Sequence, residues 1–299
     1  MSDGIVLGDN QYGKAETRLV RIYRDTERHE LRDINVSTAL RGDFSAAHLY
    51  GDQANVLPTD SQKNTCYAFA KQHGLREIED YALTLGRHFV HDVEPVHGAR
   101  IEVEEYGWER VPVDGVGHNH TWTRRGAEVR TTVVTVEGDQ ACVVSGLRDL
   151  VLLKSTGSEF AGFRTDPYTT LAETHDRVMS TSLAARWRYA GTEVAWGKTW
   201  ASVRTLLLSR FAEVHSLALQ QTLWEMGRAV LRDHQEIAEI KLSAPNRHHF
   251  VVDLAPFGLA NDNEVFFPAD RPYGLIECAV TREDGPEACP AWRAVPGFA

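Results

Sequence analysis

A chain of 299 residues, 42% hydrophobic and 25% charged, has a globular composition and enough length for about two domains. Its formal net charge of −10 excludes a general nucleic-acid or anionic-membrane surface, so an anionic ligand must be caught at a local positive site. No apolar run approaches the roughly 18 residues of a membrane span, and Met1-Ser2-Asp3 opens no secretory signal, which reads as a soluble, intracellular protein.

Residues 14–24 and 30–41 predict strands separated by the polar turn Asp25-Thr26-Glu27-Arg28. The stretch Leu57-Pro58-Thr59-Asp60-Ser61-Gln62 then reads as a helix start. Pro58 blocks a preceding helix, and Thr59 with Gln62 three residues on has the spacing of a capping box. Such a start offers free backbone N–H groups and the positive end of the helix dipole to an anion, beside the Thr59 hydroxyl and the Asp60 carboxylate. The helix is expected to reach about Gln72 and stop at Gly74. Ile78, Ala82, Leu85 and Phe89 mark a second helix over about 76–92. Residues 99–110 alternate as a half-buried strand, and after a loop 125–136 and 141–147 form a hairpin around Glu137-Gly138-Asp139-Gln140.

The second half repeats this order. Residues 149–155 and 183–189 predict strands around a long polar insertion, and helices follow over about 198–212 and 216–234. Leu219, Leu223, Met226 and Val230 share one face of the last helix. Residues 236–243 and 248–254 read as two strands joined across Pro245-Asn246, and the last thirty or so residues as irregular. The expected fold class is α+β, with units at 1–140 and 141–299, each an antiparallel sheet carrying paired helices on one face. Open sheets leave edges, so pairing between subunits is expected.

Several motifs fail on their context. Gly115-Val116-Gly117 lacks the third glycine of a dinucleotide loop, and the stretch from Gly191 to Lys198 has one residue too many for a phosphate loop. There is no HExxH and no GxSxG. Four separated cysteines (Cys66, Cys142, Cys278, Cys289) with no CxxC pair suit a reducing compartment and offer no structural zinc site. His118-x-His120, on a loop, and His88-x-x-His91 have spacings a metal could use, but no third ligand stands at a fixed distance. His248 and His249, adjacent on a strand, should face opposite ways, so that one at most enters a given site.

Five motifs remain, and together they resemble the urate oxidase (uricase) family along nearly the whole chain. They are Tyr12-Gly13-Lys14; Thr59-Asp60-Ser61-x-Lys63-Asn64-Thr65; the run from Leu153 through Ser158 and Phe160 to Gly162-Phe163; Tyr168-Thr169-Thr170-Leu171 with Glu173-Thr174-x-Asp176-Arg177; and Pro245-Asn246-x-His248 leading to Phe250. The resemblance implies two tandem T-fold units per chain, each a four-stranded antiparallel sheet with two helices on one face. It also implies a homotetramer with sites shared between subunits, and oxidation of urate by molecular oxygen with neither metal nor organic cofactor.

It further implies roles. Arg177 and Gln220 would hold one edge of the flat urate anion, with Phe160 stacked on the ring and Leu171 and Leu219 forming the wall. Thr59 and Asp60 would give backbone N–H groups to the opposite edge. Lys14, Thr59 and His248 would relay the proton, and Asn246 would place oxygen over the ring. The chain ends Pro296-Gly297-Phe298-Ala299 and not in Ser-Lys-Leu, which points to a bacterial-type cytoplasmic enzyme. Two readings from other classes compete: a zinc-dependent pterin-type T-fold enzyme, and a non-catalytic purine-binding protein.

Overall fold

Period-two burial builds the sheet. In β2 (Glu30–Gly42) the side chains of Ile34, Val36, Thr38 and Leu40 are buried, and those between them are partly exposed. The structure, a computed structural model, describes residues 4–292; Met1-Ser2-Asp3 and Pro296-Gly297-Phe298-Ala299 lie outside the described residues. No helix among the described residues is long and apolar enough to cross a membrane.

The described residues divide into two units, one of residues 4–146, 188–197 and 286–292, the other of 147–187 and 198–285. In the first, β1 (Thr17–Tyr23), β2, β3 (Val96–Val113) and β4 (Val116–Glu137) pair antiparallel in chain order. A short helix α1 (Ser45–Tyr50), which the sequence reading missed, precedes α2 (Thr59–Gln72) and α3 (Ile78–Asp92). Helix α3 packs on β3 and β4 through Ile78, Ala82, Leu85 and Phe89, the residues whose spacing predicted it. In the second unit, α4 (Trp196–Glu213, its first two residues in the first unit) and α5 (Leu219–Asp233) accompany β6 (Met179–Tyr189), β7 (Ile237–Val251) and β8 (Phe266–Thr281), with α5 packed on β7 and β8. This is the α+β architecture expected, with antiparallel strands and paired helices.

Several boundaries differ from the reading above. The loop expected between 110 and 125 is a strand pair: β3 and β4 meet at Asp114-Gly115, both at positive φ (50° and 80°), a two-residue turn matched to strand twist. His118 and His120 therefore lie on β4 and not on a loop. Residues 141–147 and 149–155 belong to one strand, β5 (Gln140–Lys154), whose Arg148-Asp149 interruption is absorbed by a left-handed Asp149 (φ 58°). Likewise 236–243 and 248–254 fall largely in the single strand β7, with a register shift between Asn246 and His248. The tail read as irregular contains β8, which carries Pro268 and Pro272, tolerable where a strand has a free edge.

The cysteines also differ from four free thiols: Cys142 and Cys289 form a disulfide, and Cys66 and Cys278 are free. The bridge joins β5 to the segment around Ala291, where Val133, Val144 and Trp292 pack. It closes a loop with a sequence separation of 147. Because long closed loops restrict the unfolded chain most, replacing Cys289 by Ser should cost on the order of 2–5 kcal/mol. Thermal unfolding with and without a dithiol reductant checks this; an unchanged midpoint on reduction would mean the bridge constrains nothing.

Candidate active site

Two groups of functional side chains are built, one in each unit. In the first unit the segment before β1 runs along β2. Tyr12 exchanges backbone hydrogen bonds with Leu40 (3.1 and 2.7 Å), and the Thr38 N–H donates to the Lys14 carbonyl at 2.8 Å. A side chain at Gly13 would sit 1.7 Å from the Thr38 carbonyl oxygen, so only glycine lets the backbones approach this closely and bring Lys14 to its place. Lys14 is half-buried.

The start of α2 is tied to the same strand, but not through a capping box. Pro58 is the N-cap, Thr59 is the first helical residue, and no side chain caps the end. Gln62 is buried and turned inward: Thr38 Oγ1 donates to its Oε1 at 2.6 Å, and its Nε2 donates to the Leu57 carbonyl at 3.4 Å. Tyr12 Oη donates to that same carbonyl at 3.0 Å. The glutamine thus locks helix to sheet and leaves the first-turn N–H groups uncapped. Asp60 is exposed and takes hydrogen bonds from Lys63 (2.5 Å) and Asn64 (2.9 Å). Lys63 chiefly holds its carboxyl below the ordinary range, with a smaller pull from Lys14.

The second unit holds a cavity of about 780 Å³. Phe160, Leu171, Arg177, Leu219, Gln220, Asn246 and His248 all line it. Lys14, Thr59 and Asp60 are not among its lining residues, which all belong to the second unit. The segment between β5 and β6 shapes one wall through short backbone ties. Phe160 and Thr174 exchange N–H···O bonds at 2.8 and 2.9 Å, and the Arg177 N–H donates to the Ser158 carbonyl at 2.9 Å. Phe160 also stacks on Phe163, with centroids 4.8 Å apart at 14°. Its ring lies 5.3 Å from the Arg177 guanidinium carbon.

Arg177 is half-buried and, among the described residues, has no carboxylate partner. Two carboxylates do line the cavity, but both are occupied. Asp176 accepts from Thr156 Oγ1 at 2.8 Å and the Gly157 N–H at 3.3 Å; Glu173 accepts from the Gly162 N–H at 2.8 Å. Burial lowers the Arg177 pKa. Burial and then the nearby Arg177 charge lower the pKa of His248. A lone guanidinium beside a neutral imidazole and two amides, Gln220 and Asn246, forms a pocket for a planar anion.

His249 lines the cavity together with His248. The register shift at Asn246/His248 precedes both, and from His248 to Val251 the pairing with β8 is regular, with His248 stacked on Phe250 two residues on. Sequence reasoning also missed Phe266 and Ile276, because β8 was not recognised, and Asn263 and Val178, which lie outside it. Alternation in Ile276-x-Cys278-x-Val280, the inward-facing residues of β8, was the available signal. Of the histidine pairs weighed for a metal, His88 bonds Asp92 at 2.8 Å and His118 packs edge-on against His120. Among the described residues no three His, Cys, Asp or Glu side chains are grouped to hold a metal ion.

Comparisons with known proteins agree with one another. The family model described as Uricase matches residues 10–135 and 143–277. A protein named Uricase from Arthrobacter globiformis is 53% identical over 98% of this chain and 96% of its own. Another from Dictyostelium discoideum is 35% identical over 92% and 97%. The crystal structure of the Arthrobacter globiformis protein superposes with a TM-score of 0.92, over 96% of this chain and 99% of that one.

The His248 shift gives a direct test of the pocket's electrostatics. Arg177 disfavours a second positive charge, so Arg177→Gln should raise the His248 pKa, yet leave it below the ordinary 6.5 because burial, the larger cause, persists. Titration of the His248 ring protons by NMR reads this out, and an unmoved midpoint would show that the two groups do not sense each other.

Proposed function

The chain belongs to the uricase family and oxidises urate with molecular oxygen to 5-hydroxyisourate and hydrogen peroxide; from that premise we propose how its own residues do so. The alternatives, a zinc-dependent pterin-type enzyme or a non-catalytic purine binder, are not favoured by these relatives. The reading of the site rests on one observation: the guanidinium of Arg177, without a carboxylate partner among the described residues, beside the Phe160 ring in a cavity whose own carboxylates are engaged elsewhere.

Urate is a flat anion, and Arg177 with Gln220 matches one of its edges, a charge-assisted fork beside an amide. Phe160 takes the ring face, while Leu171 and the backbone of Leu219 close the wall. The uncapped N–H groups of Thr59 and Asp60 suit the opposite edge. Removal of a further proton makes the ring a strong enough reductant to pass two electrons to oxygen. Lys14 and Thr59, with His248 in its neutral form, relay that proton. Asn246 and Thr59 hold oxygen, and then the water that adds to the oxidised ring as peroxide leaves. The protein supplies positioning and proton transfer, with no metal or organic cofactor.

The residues of the first unit would reach the ring from a neighbouring subunit of a homotetramer, because halves of the chain can meet across a two-fold axis. A division into repeats at 1–140 and 141–299 and a cytoplasmic location complete the proposal.

Oxygen uptake recorded together with loss of urate absorbance, after exhaustive chelation, tests the reaction: the two should fall in step. Urate binding without oxygen consumption would overturn it, and activity lost to the chelator and restored by one metal would overturn the cofactor-free reading. Site sharing has its own test. Lys14→Ala and Arg177→Ala, each inactive alone, unfolded together and reassembled, should regain activity at about a quarter of the sites. No recovery from demonstrated hybrids would refute a shared site.

A further inference from the structure

Beneath Arg177 lies a chain of hydroxyls that ends on sulfur. Arg177 Nε donates to Ser158 Oγ at 3.3 Å, and Ser158 Oγ in turn donates to Met179 Sδ at 3.6 Å. From the other side Thr222 Oγ1 donates to Ser216 Oγ at 2.8 Å, and Ser216 Oγ donates to the same sulfur at 3.6 Å. Ser158, Ser216 and Thr222 are fully buried and Met179 is 1% exposed, so water cannot substitute for any partner. Ser158 and Ser216 also face each other in a parallel bridge, held by the Glu159 N–H on the Ser216 carbonyl (2.7 Å) and the Ser216 N–H on the Gly157 carbonyl (2.9 Å).

Donor and acceptor counting fixes the direction of the bonds at Arg177 and at Met179, while Thr222 Oγ1 also lies 3.4 Å from the Ala218 carbonyl and has that second acceptor for its hydrogen. A guanidinium only donates and a thioether only accepts, whereas a hydroxyl has one hydrogen and two lone pairs. Ser158 can receive the Arg177 Nε–H only if its own hydrogen points elsewhere. With Arg177 donating to it, Ser158 needs an acceptor for its own hydrogen on the side away from the guanidinium. The Met179 sulfur, which can only accept, takes that hydrogen and offers none in return.

We propose that Met179 is a positioning residue for urate binding: its sulfur orients the Ser158 hydroxyl, which holds Arg177 by Nε and leaves the guanidinium fork to the cavity. This rests on the reading of Arg177 as the group that takes the urate anion. Met179 touches no substrate. Its effect passes through Ser158 to a residue engaged with substrate throughout the reaction, so it acts on KM and not on kcat.

Met179→Leu keeps the volume and deletes the acceptor. It is expected to raise KM for urate about five- to tenfold, as loss of one hydrogen bond does, with kcat unchanged. Ser158→Ala should raise KM by a similar factor, Ser158→Thr should restore it, and the double variant should match Ser158→Ala alone. A purely structural methionine would lower the melting temperature without this split between KM and kcat. Unchanged KM in Met179→Leu, or effects that multiply in the double variant, would overturn the proposal. If Met179→Leu does not fold, the serine pair decides: no rise in KM with Ser158→Ala, or no rescue by threonine, overturns it equally. Arg177→Lys separates the two readings. If it binds urate like the parent enzyme, the anion site lies elsewhere. If it binds weakly while Met179→Leu binds normally, only the role of Met179 fails.

Discussion

An unpaired positive charge, partly removed from water, is the constraint around which the second unit is arranged. Burying a guanidinium costs free energy unless something repays it, and Arg177 has no carboxylate partner among the described residues. The surroundings keep it so. Asp176, its chain neighbour, is engaged by Thr156 and Gly157, and Glu173 by the Gly162 N–H. Ser158, which accepts a hydrogen bond from Arg177 Nε, is neutral. The charge is left for an anionic ligand, and its field adds to the burial that lowers the His248 pKa.

The first unit contains the opposite case. Arg130 is nearly as buried as a core residue and meets three carboxylates, Glu79 at 2.6 Å, Glu77 at 2.9 Å and Glu105 at 3.5 Å, while Ser145 donates to Glu79 at 2.5 Å. That arginine binds α3 to β3 and β4, with its charge consumed by the fold. Arg130 and Arg177 thus differ in depth of burial and in one further respect, the presence of a counter-charge. That respect separates a structural group from one offered to a ligand.

The helices were legible because their apolar spacing is regular: Ile78, Ala82, Leu85 and Phe89 for α3, and Leu219, Leu223, Met226 and Val230 for α5. Strand continuity was less so. A polar pair at Arg148-Asp149 and the prolines at 245, 268 and 272 each resemble an ending, yet β5, β7 and β8 continue past them by a left-handed residue, a register shift or a free edge. For the site, composition alone marked only the start of α2. Its capping pair misled, because Gln62 serves the sheet and not the helix end. The remaining residues entered through family motifs. Single positions such as Gln220 or Leu171 carry no local signature; they acquire meaning only where the chain brings them to one cavity.

The disulfide between Cys142 and Cys289 has a consequence for the life of the molecule in the presence of proteases. Every residue that lines the cavity falls within the covalent ring it closes. So does the exposed stretch around Tyr168 and Leu171, the kind of segment where cleavage begins. A single cut there opens the ring but releases no fragment, since both pieces remain joined through sulfur. Clearance of the chain then takes a second cut or a reductant, and a nicked molecule keeps its parts together in the meantime.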